Sequence, residues 1–319
     1  MIPVIPIDDI LAGRSDQMVI AAATGSGFMT ISGVDERLGL ADARRTTLSF
    51  FHQPEDVRRQ TLRHKYDPSR KNVYRGLYLA QPEKDTHVEG FDMGPDVADP
   101  ARCGDGSDPL TEPTPLPPME GFAKAAATYY SAMEQLGGVV TRTLLRGLGA
   151  DPDRADDIFG NSISTLRLLH YPAGAAARMG AARRIETPLG ERWVMTAAHT
   201  DSGFVTLLWQ DGTGGLQARD LSGEWIDVPP AEGGIVVNFG QLLSDWTGGR
   251  IKATEHRVYG GLSERFSVPF FFEPAVDARI TALFDDQPDW PGDLVYGDFL
   301  WSRIGRFGNF VGVERRPAA

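Results

Sequence analysis

Three residues in the second half of the chain have the side-chain types and the spacing of a metal site. His199 and Asp201 are separated by one residue, and side chains at positions i and i+2 of an extended segment point to the same face. His256 lies in another segment with strand character, far enough along the chain for other strands to intervene. Two imidazoles and one carboxylate leave part of an octahedral ion's coordination open, which suits an Fe(II) ion that must bind a cosubstrate and O₂ together. We therefore predict that His199, Asp201 and His256 bind Fe(II).

A guanidinium and a hydroxyl group follow the second histidine. Arg265 and Ser267 begin the next strand-like segment, and their spacing again places both side chains on one face. Together they could hold a carboxylate. If the two strands are neighbours, that carboxylate could belong to a diacid whose other end chelates the metal.

The segments that must position these residues are short and strand-like. From residue 162 onward, apolar runs are bounded by Gly, Pro, Asp or Asn, a pattern typical of a sandwich or jelly roll. We predict strands at residues 165–171, 193–199, 204–209, 215–219, 225–228, 235–239, 255–259 and 266–272.

The first half of the chain has a more helical pattern. Short strands are predicted at residues 4–7 and 28–32, and helical periodicity runs from residue 35 to about 65, with an interruption at Gln53-Pro54. The clearest helix extends from about residue 119 to 149, where apolar residues recur every three or four positions.

A loop-rich stretch separates these two helical parts and includes residues 74–78 and 87–92. We predict a single domain over residues 1–319 that is mainly β with flanking α. In it, residues 1–160 form a helical N-terminal part, and residues 161–319 form the β core with the metal site.

Composition and charge exclude several classes of function. The 32 Lys and Arg residues against 43 Asp and Glu residues give a net charge of −11, which argues against a nucleic-acid or anionic-membrane partner. Cys103 is the only cysteine, so an internal disulfide and a cysteine-based metal site are excluded. The sequence has no recognisable leader and no run of about 18 apolar residues. We predict a cytoplasmic protein that does not span a membrane; the sequence leaves its oligomeric state open.

Taken together, these motifs resemble those of a known enzyme family. The order and spacing of the His-x-Asp triplet, the second histidine and the Arg-x-Ser pair are similar to those of the isopenicillin N synthase-like branch of the 2-oxoglutarate/Fe(II)-dependent dioxygenases. The resemblance covers nearly the full chain. Its further landmarks are Ile5-Pro6-Ile7-Asp8, Gly27-Phe28, Leu166–Pro172, Gly214–Gln217, Asn238–Leu243 and Trp246–Gly249.

The resemblance implies a double-stranded β-helix (jelly-roll) core, supported by N-terminal helices, with iron at its open end. It implies Fe(II) and 2-oxoglutarate as cofactors, and O₂ and a small molecule as substrates. Oxidative decarboxylation of 2-oxoglutarate would drive C–H oxidation, with hydroxylation as the default outcome. Arg265 and Ser267 would hold the distal carboxylate of 2-oxoglutarate, and Tyr171 would help to bind it. Many plant members have an asparagine where this chain has Leu169, so the contact with the inner carboxylate differs here.

Other residues are implied as parts of the pocket, although core packing would explain them nearly as well. Arg167 shares a strand face with Tyr171 and could reach the pocket mouth, whereas His170 should point to the opposite face. Residues 173–192, which are longer than in the plant enzymes and rich in arginine, could form a lid. The candidates for the substrate wall are Tyr74, Arg75, Tyr78, Phe91 and Phe204.

Three alternatives stay open at this point. An oxidase of the same fold could use no 2-oxoglutarate, as in ring closure of the isopenicillin N synthase type, with the Arg-x-Ser pair holding a substrate carboxylate. A non-catalytic module could keep the barrel and bind a small molecule. Two histidines and a carboxylate could also hold Zn²⁺ in a hydrolase, although no glutamate is placed beside either histidine as a helical general base.

Overall fold

Two β-sheets form the centre of the computed structural model of the chain, which describes residues 2–81, 87–187, 190–287, 290–306, 310 and 313–315. The strands are β1 (Val4–Pro6), β2 (Phe28–Ser32), β3 (Gly76–Tyr78), β4 (Glu89–Met93), β5 (Thr165–Tyr171), β6 (Arg184–Thr187), β7 (Gly190–His199), β8 (Val205–Gln210), β9 (Leu216–Arg219), β10 (Trp225–Asp227), β11 (Ile235–Phe239), β12 (His256–Gly260), β13 (Arg265–Phe272), β14 (Arg279–Ile280) and β15 (Leu294–Val295).

The helices are concentrated in the first half of the chain. They are α1 (Ile7–Leu11), α2 (Asp16–Thr24), α3 (Val34–Leu38), α4 (Ala41–Leu48), α5 (Glu55–Arg59), α6 (Phe122–Gly147), α7 (Arg154–Phe159), α8 (Gln241–Trp246) and α9 (Tyr296–Ile304). Among the described residues, no helix is both long enough and apolar enough to cross a bilayer.

The larger sheet has the strand order β1-β2-β11-β8-β13-β5-β4-β3, and the smaller has the order β10-β9-β12-β7-β6. Neighbouring strands are antiparallel except for β1 and β2. The sequence-predicted strands of the second half are confirmed with small shifts at their ends. The loop-rich stretch was predicted wrongly in part, because β3 and β4 extend the larger sheet beyond β5.

Side-chain alternation along the central strands separates two buried layers. On β5, Leu166 and Leu168 pack in the core beneath the helices, whereas Leu169 and Tyr171 belong to the apolar cluster between the sheets. β8 and β11 alternate in the same way. The inner faces of these strands are therefore turned towards the smaller sheet, which carries both histidines of the predicted metal site.

The predicted helical stretch from residue 35 to 65 is divided more finely than expected. Its interruption at Pro54 is confirmed, since that residue immediately precedes α5. A second break separates α3 from α4 at Gly39, whose φ of 66° is left-handed and suits a glycine at a helix end. The arginine-rich insertion forms two short 3-10 turns and the edge strand β6, which pairs with β7; its role as a lid stays a prediction.

The first and second halves of the chain share one sheet. β1 to β4 come from the first 160 residues and flank the strands of the second half on both sides of the larger sheet. This arrangement supports a single domain over residues 1–319, which we keep as a proposal.

The long helix α6 packs closely on β13 at a glycine. A Cβ added to Gly137 would lie 2.6 Å from Cγ of Phe272, whereas one added to the adjacent Gly138 would lie 3.5 Å from Nη2 of Arg142. The first distance is too short for a side chain, and the second is an ordinary contact. Gly137 therefore sets how closely the helix approaches the sheet.

We expect Gly137→Ala to lower the free energy of unfolding by about 1–3 kcal/mol, because overpacking outweighs the helix propensity of alanine. The matched variant Gly138→Ala should raise it by up to about 1 kcal/mol, because alanine favours the helix and meets no clash. Urea unfolding followed by circular dichroism measures both. Equal effects of the two substitutions would contradict this account of the helix–sheet contact.

Candidate active site

The three predicted metal ligands come together where the smaller sheet ends. β7 terminates at His199 and β12 begins at His256, and these two residues are paired directly in register. Asp201 follows two residues after β7. Its Oδ1 lies 3.7 Å from Nε2 of His199 and 3.8 Å from Nε2 of His256, and one ligand atom of each residue lies within 4.8 Å of the others. The group can hold one metal ion.

The remaining polar atoms of the two imidazoles are already engaged. Nδ1 of His199 donates to the backbone carbonyl of Ala197 at 2.9 Å, and Nδ1 of His256 donates to that of Thr254 at 3.1 Å. These bonds fix the tautomer that leaves the Nε2 lone pairs for a metal. Burial also lowers the pKa of His256, which favours the neutral, metal-binding form.

The carboxylate of Asp201 is oriented in the same manner. Its Oδ2 accepts hydrogen bonds from Oγ1 of Thr206 at 2.6 Å and from Nδ2 of Asn238 at 2.7 Å. Burial opposes ionisation of Asp201, but His256 and His199 hold the pKa of the carboxyl below its usual range. Oδ1 is thus the oxygen that faces the two Nε2 atoms. Two imidazole nitrogens and one carboxylate oxygen fit Fe(II), and the other polar atom of each of these side chains is held by a hydrogen bond.

The predicted carboxylate-binding residues also meet, on the inner face of the larger sheet. Arg265 pairs with Tyr171, and Ser267 pairs with Leu169. Arg265 donates from Nε to the carbonyl of Gly214 at 2.8 Å and from Nη1 to Oγ of Ser267 at 3.2 Å. Its guanidinium carbon lies 4.9 Å from the centroid of the Tyr171 ring. In the described part of the chain, Nη2 of this buried arginine has no hydrogen-bond partner.

Tyr171 connects this group to the smaller sheet. Its hydroxyl lies 3.4 Å from Oγ1 of Thr196, three residues before His199 on β7. A cavity of about 510 Å³ opens beside Tyr171, Met195 and Arg265. The carboxylate-binding group and the metal group thus lie on facing sheets, as a cosubstrate that bridges them would require.

A second cavity, of about 410 Å³, opens beside His199 and Asp201. Of the five residues predicted for the substrate wall, three line it: Tyr74, Tyr78 and Phe204. The other two are elsewhere. Arg75 is fully buried and donates to Thr165 and to backbone carbonyls, and Phe91 packs against Phe50 and Phe122 beneath the helices.

Arg167 and His170 of β5 have different surroundings because they point to opposite faces of the sheet. Arg167 lines the cavity beside the metal group. His170 packs on Phe266 on the helix side, and its ring nitrogens lie 2.7 Å from Glu89 and 2.8 Å from Glu264. The expected orientation of His170 away from the site is confirmed.

Sequence reasoning missed Glu273, which lines the cavity beside Asp201. Tyr296 donates a hydrogen bond to its carboxyl group, and burial raises the pKa of Glu273 to about 8, which favours the protonated form. The signal was present in the alternation along the strand, because position 273 has the same parity as Arg265 and Ser267.

This geometry agrees with what the chain resembles. Residues 165–274 match the 2OG-Fe(II) oxygenase superfamily. The chain is 33% identical over 291 residues to the 2-oxoglutarate-dependent dioxygenase citB of Monascus ruber, a match that covers 85% of this chain and 82% of the relative. The chain belongs to the 2OG-Fe(II) oxygenase superfamily.

Two further similarities support the assignment. Clavatol oxidase claD of Penicillium crustosum is 33% identical over 293 residues, with 86% of this chain and 83% of the relative covered. The crystal structure of a full-length Neurospora crassa protein in complex with alpha-KG and 5-formyluracil superimposes with a TM-score of 0.77 and 25% identity, and the match covers 95% of each chain. The predicted double-stranded β-helix fold is thereby confirmed.

The predicted enzyme class and cofactors are confirmed as well. The protein is a 2-oxoglutarate-dependent dioxygenase that uses Fe(II) and 2-oxoglutarate to oxidise a small-molecule substrate with O₂. This assignment disfavours the non-catalytic module and the zinc hydrolase that the sequence alone left open.

We expect Thr206→Val to weaken Fe(II) binding by about 10- to 100-fold, because the nearly isosteric valine removes one of the two hydrogen bonds that orient Asp201. Equilibrium dialysis of Fe(II) under anaerobic conditions measures the affinity. Thr141→Val is the matched control, since the hydroxyl of this buried threonine donates to the carbonyl of Gly137 within α6. An unchanged Fe(II) affinity in Thr206→Val would contradict the orienting role of the hydroxyl.

Proposed function

We propose that the enzyme hydroxylates its substrate at an Fe(II) ion held by His199, Asp201 and His256. The observation that carries the proposal is the convergence of three ligand atoms within 4.8 Å of one another. The other polar atom of each side chain forms a hydrogen bond within the protein. Protein groups preorganised in this way bind a metal without further rearrangement.

The cofactors supply the oxidation itself. With Fe(II) bound, 2-oxoglutarate and O₂ yield succinate and CO₂, one oxygen atom enters succinate, and the other is inserted into a C–H bond of the substrate. His199, Asp201 and His256 would hold the ion with three ligand atoms, so further coordination positions would remain for 2-oxoglutarate and O₂.

We propose that Arg265, Ser267 and Tyr171 hold the distal carboxylate of 2-oxoglutarate. The unpartnered Nη2 of Arg265 and the hydroxyl of Ser267 supply charge-assisted hydrogen bonds, and burial of the arginine strengthens them. Leu169 lies beside Ser267 in register and offers no polar atom. The carboxylate of 2-oxoglutarate next to the metal must therefore be bound by the metal and by residues other than Leu169.

The walls of the smaller cavity would exclude water from the reaction. Phe204 is fully buried, and Phe271, Leu300 and Phe310 line the same cavity. These apolar side chains would help to keep competing solvent away from the reactive centre. The cytoplasmic location stays a prediction from the sequence.

We expect the anaerobic Fe(II) protein to develop a visible metal-to-ligand absorption band when 2-oxoglutarate is added. The band should be absent in Asp201→Ala and His256→Ala, because each variant loses a ligand, and present in His64→Ala, which removes an exposed histidine outside the site. Circular dichroism establishes that the variants are folded. Failure of the wild-type protein to form the band would contradict the binding of Fe(II) and 2-oxoglutarate at this site.

We expect Arg265→Gln to raise the Kd for 2-oxoglutarate by about 10- to 100-fold, because a charge-assisted hydrogen bond is worth about 1.5–3 kcal/mol. Titration of the visible band with 2-oxoglutarate measures this Kd, and Fe(II) content should be unchanged. The matched control is Arg257→Gln, since Arg257 bonds Gln217 beside Trp225. A Kd within about twofold of the wild-type value would exclude Arg265 as a principal contact.

A further inference from the structure

Two arginines share one buried carboxylate at the side of the cavity that contains the metal group. Asp92 is fully buried on β4. Its Oδ2 accepts hydrogen bonds from Nη2 of Arg63 at 2.6 Å and from Nη2 of Arg167 at 2.7 Å, and its Oδ1 accepts one from Nε of Arg167 at 2.6 Å. Both arginines line the cavity.

The charges in this group do not balance. Burial opposes ionisation of Asp92, but Arg167 and Arg63 hold the pKa of its carboxyl below the usual range, so the group has two positive charges and one negative charge. Among the described residues, neither arginine forms an ion pair with any other carboxylate.

The guanidinium groups of Arg63 and Arg167 also have N–H donors that Asp92 does not use. Arg63 uses Nε for the carbonyl of Gly76 and Nη2 for Asp92, while Arg167 uses Nε and Nη2 for Asp92. Within the described ranges, Nη1 of each arginine lacks a hydrogen-bond partner. The side chain of Arg167 is 28% exposed although its carboxylate partner is fully buried, so the guanidinium borders open space.

The strand register brings this cationic group near the metal ligands. Thr165, Phe271 and Thr206 are paired side by side on β5, β13 and β8, and Thr206 donates to Asp201. Two strand spacings of about 4.8 Å separate Thr165 from Thr206, and Arg167 lies about 7 Å further along β5. A molecule of ordinary metabolite size could therefore contact the guanidinium and the metal site together.

Aromatic rings lie against both guanidinium groups. The guanidinium carbon of Arg63 lies 4.7 Å from the centroid of the Tyr78 ring, and that of Arg167 lies 5.2 Å from the centroid of Phe271. Burial raises the pKa of Tyr78, so its phenol is neutral. Glu273, which also lines the cavity, is bonded to Tyr296. These surroundings favour an apolar ring in contact with the walls and an anionic group beside the arginines.

We propose that the substrate is a small carboxylic acid with an aromatic or alicyclic body, and that Arg167, assisted by Arg63, binds its carboxylate. The inference rests on the proposed function, because the cavity is the one that contains the proposed metal ligands. Arg167 is a substrate-binding residue in this assignment, and Asp92 is a positioning residue that fixes the plane of its guanidinium.

The test begins with the wild-type protein loaded anaerobically with Fe(II) and saturating 2-oxoglutarate. The visible band establishes loading, and calorimetric titration then compares 3-phenylpropionate with the nearly isosteric neutral 3-phenylpropanamide. We expect the acid to bind at least about tenfold more tightly than the amide, because a hydrogen bond to a charged group is worth about 1.5–3 kcal/mol. Saturation with 2-oxoglutarate keeps the acid out of the Arg265 site.

Variants assign this preference to a residue. Arg167→Met should weaken binding of the acid at least about tenfold, with the amide affinity and the visible band unchanged, whereas Arg167→Lys should keep part of the preference. The control is Arg102→Gln, which removes a partly buried arginine bonded to Glu134 outside the cavity and should change neither affinity. If Arg167→Met does not fold, the wild-type comparison of acid with amide still tests the charge preference.

The outcomes separate this inference from the function on which it rests. Absence of the visible band would overturn the proposed 2-oxoglutarate site. A normal band with no binding of the acid, or with equal binding of acid and amide, would overturn the anionic substrate alone. Retention of the wild-type acid affinity in Arg167→Met would overturn the assignment to Arg167.

Discussion

The two-residue alternation along β5 and β13 is the constraint on which the rest of the structure depends. Each strand must bury one row of side chains beneath the helices and present the other row to the smaller sheet. A shift of one residue would exchange the two rows and place the charged Arg265 in the apolar core. The large apolar residues Val268, Phe270 and Phe272 fix the register because they fill the helix side.

Three charged groups between the sheets are held by specific partners. Asp201 has two hydrogen-bond donors, Asp92 has two arginines, and Arg265 has a carbonyl and a hydroxyl. Burial of a charge is costly unless such partners compensate for lost hydration. The same bonds hold the groups in place before any ligand binds, so the two sheets serve as a rigid frame for the cofactors and the substrate.

Much of the β core was predictable because its strands are short and bounded by turn residues. The strands β5 and β11 begin and end where the sequence predicts, and α6 is trimmed only at its ends. β3 and β4 were missed because Gly76 and Gly90 weaken the local strand pattern. Their pairing with β5 depends on hydrogen bonds to a strand far along the chain, which local periodicity does not contain.

The sequence by itself determined the three candidate metal ligands and the Arg265–Ser267 pair, because side-chain chemistry and i, i+2 spacing are local properties of the chain. Tertiary structure decided which distant residues complete the site. Asn238 on β11 is paired with Thr206 on β8, and both donate to Asp201. Asp92 on β4 is paired with Arg167 on β5 and also accepts a hydrogen bond from Arg63. These contacts depend on strand order and register, which are set by the burial of whole sheet faces, so no local sequence pattern could specify them.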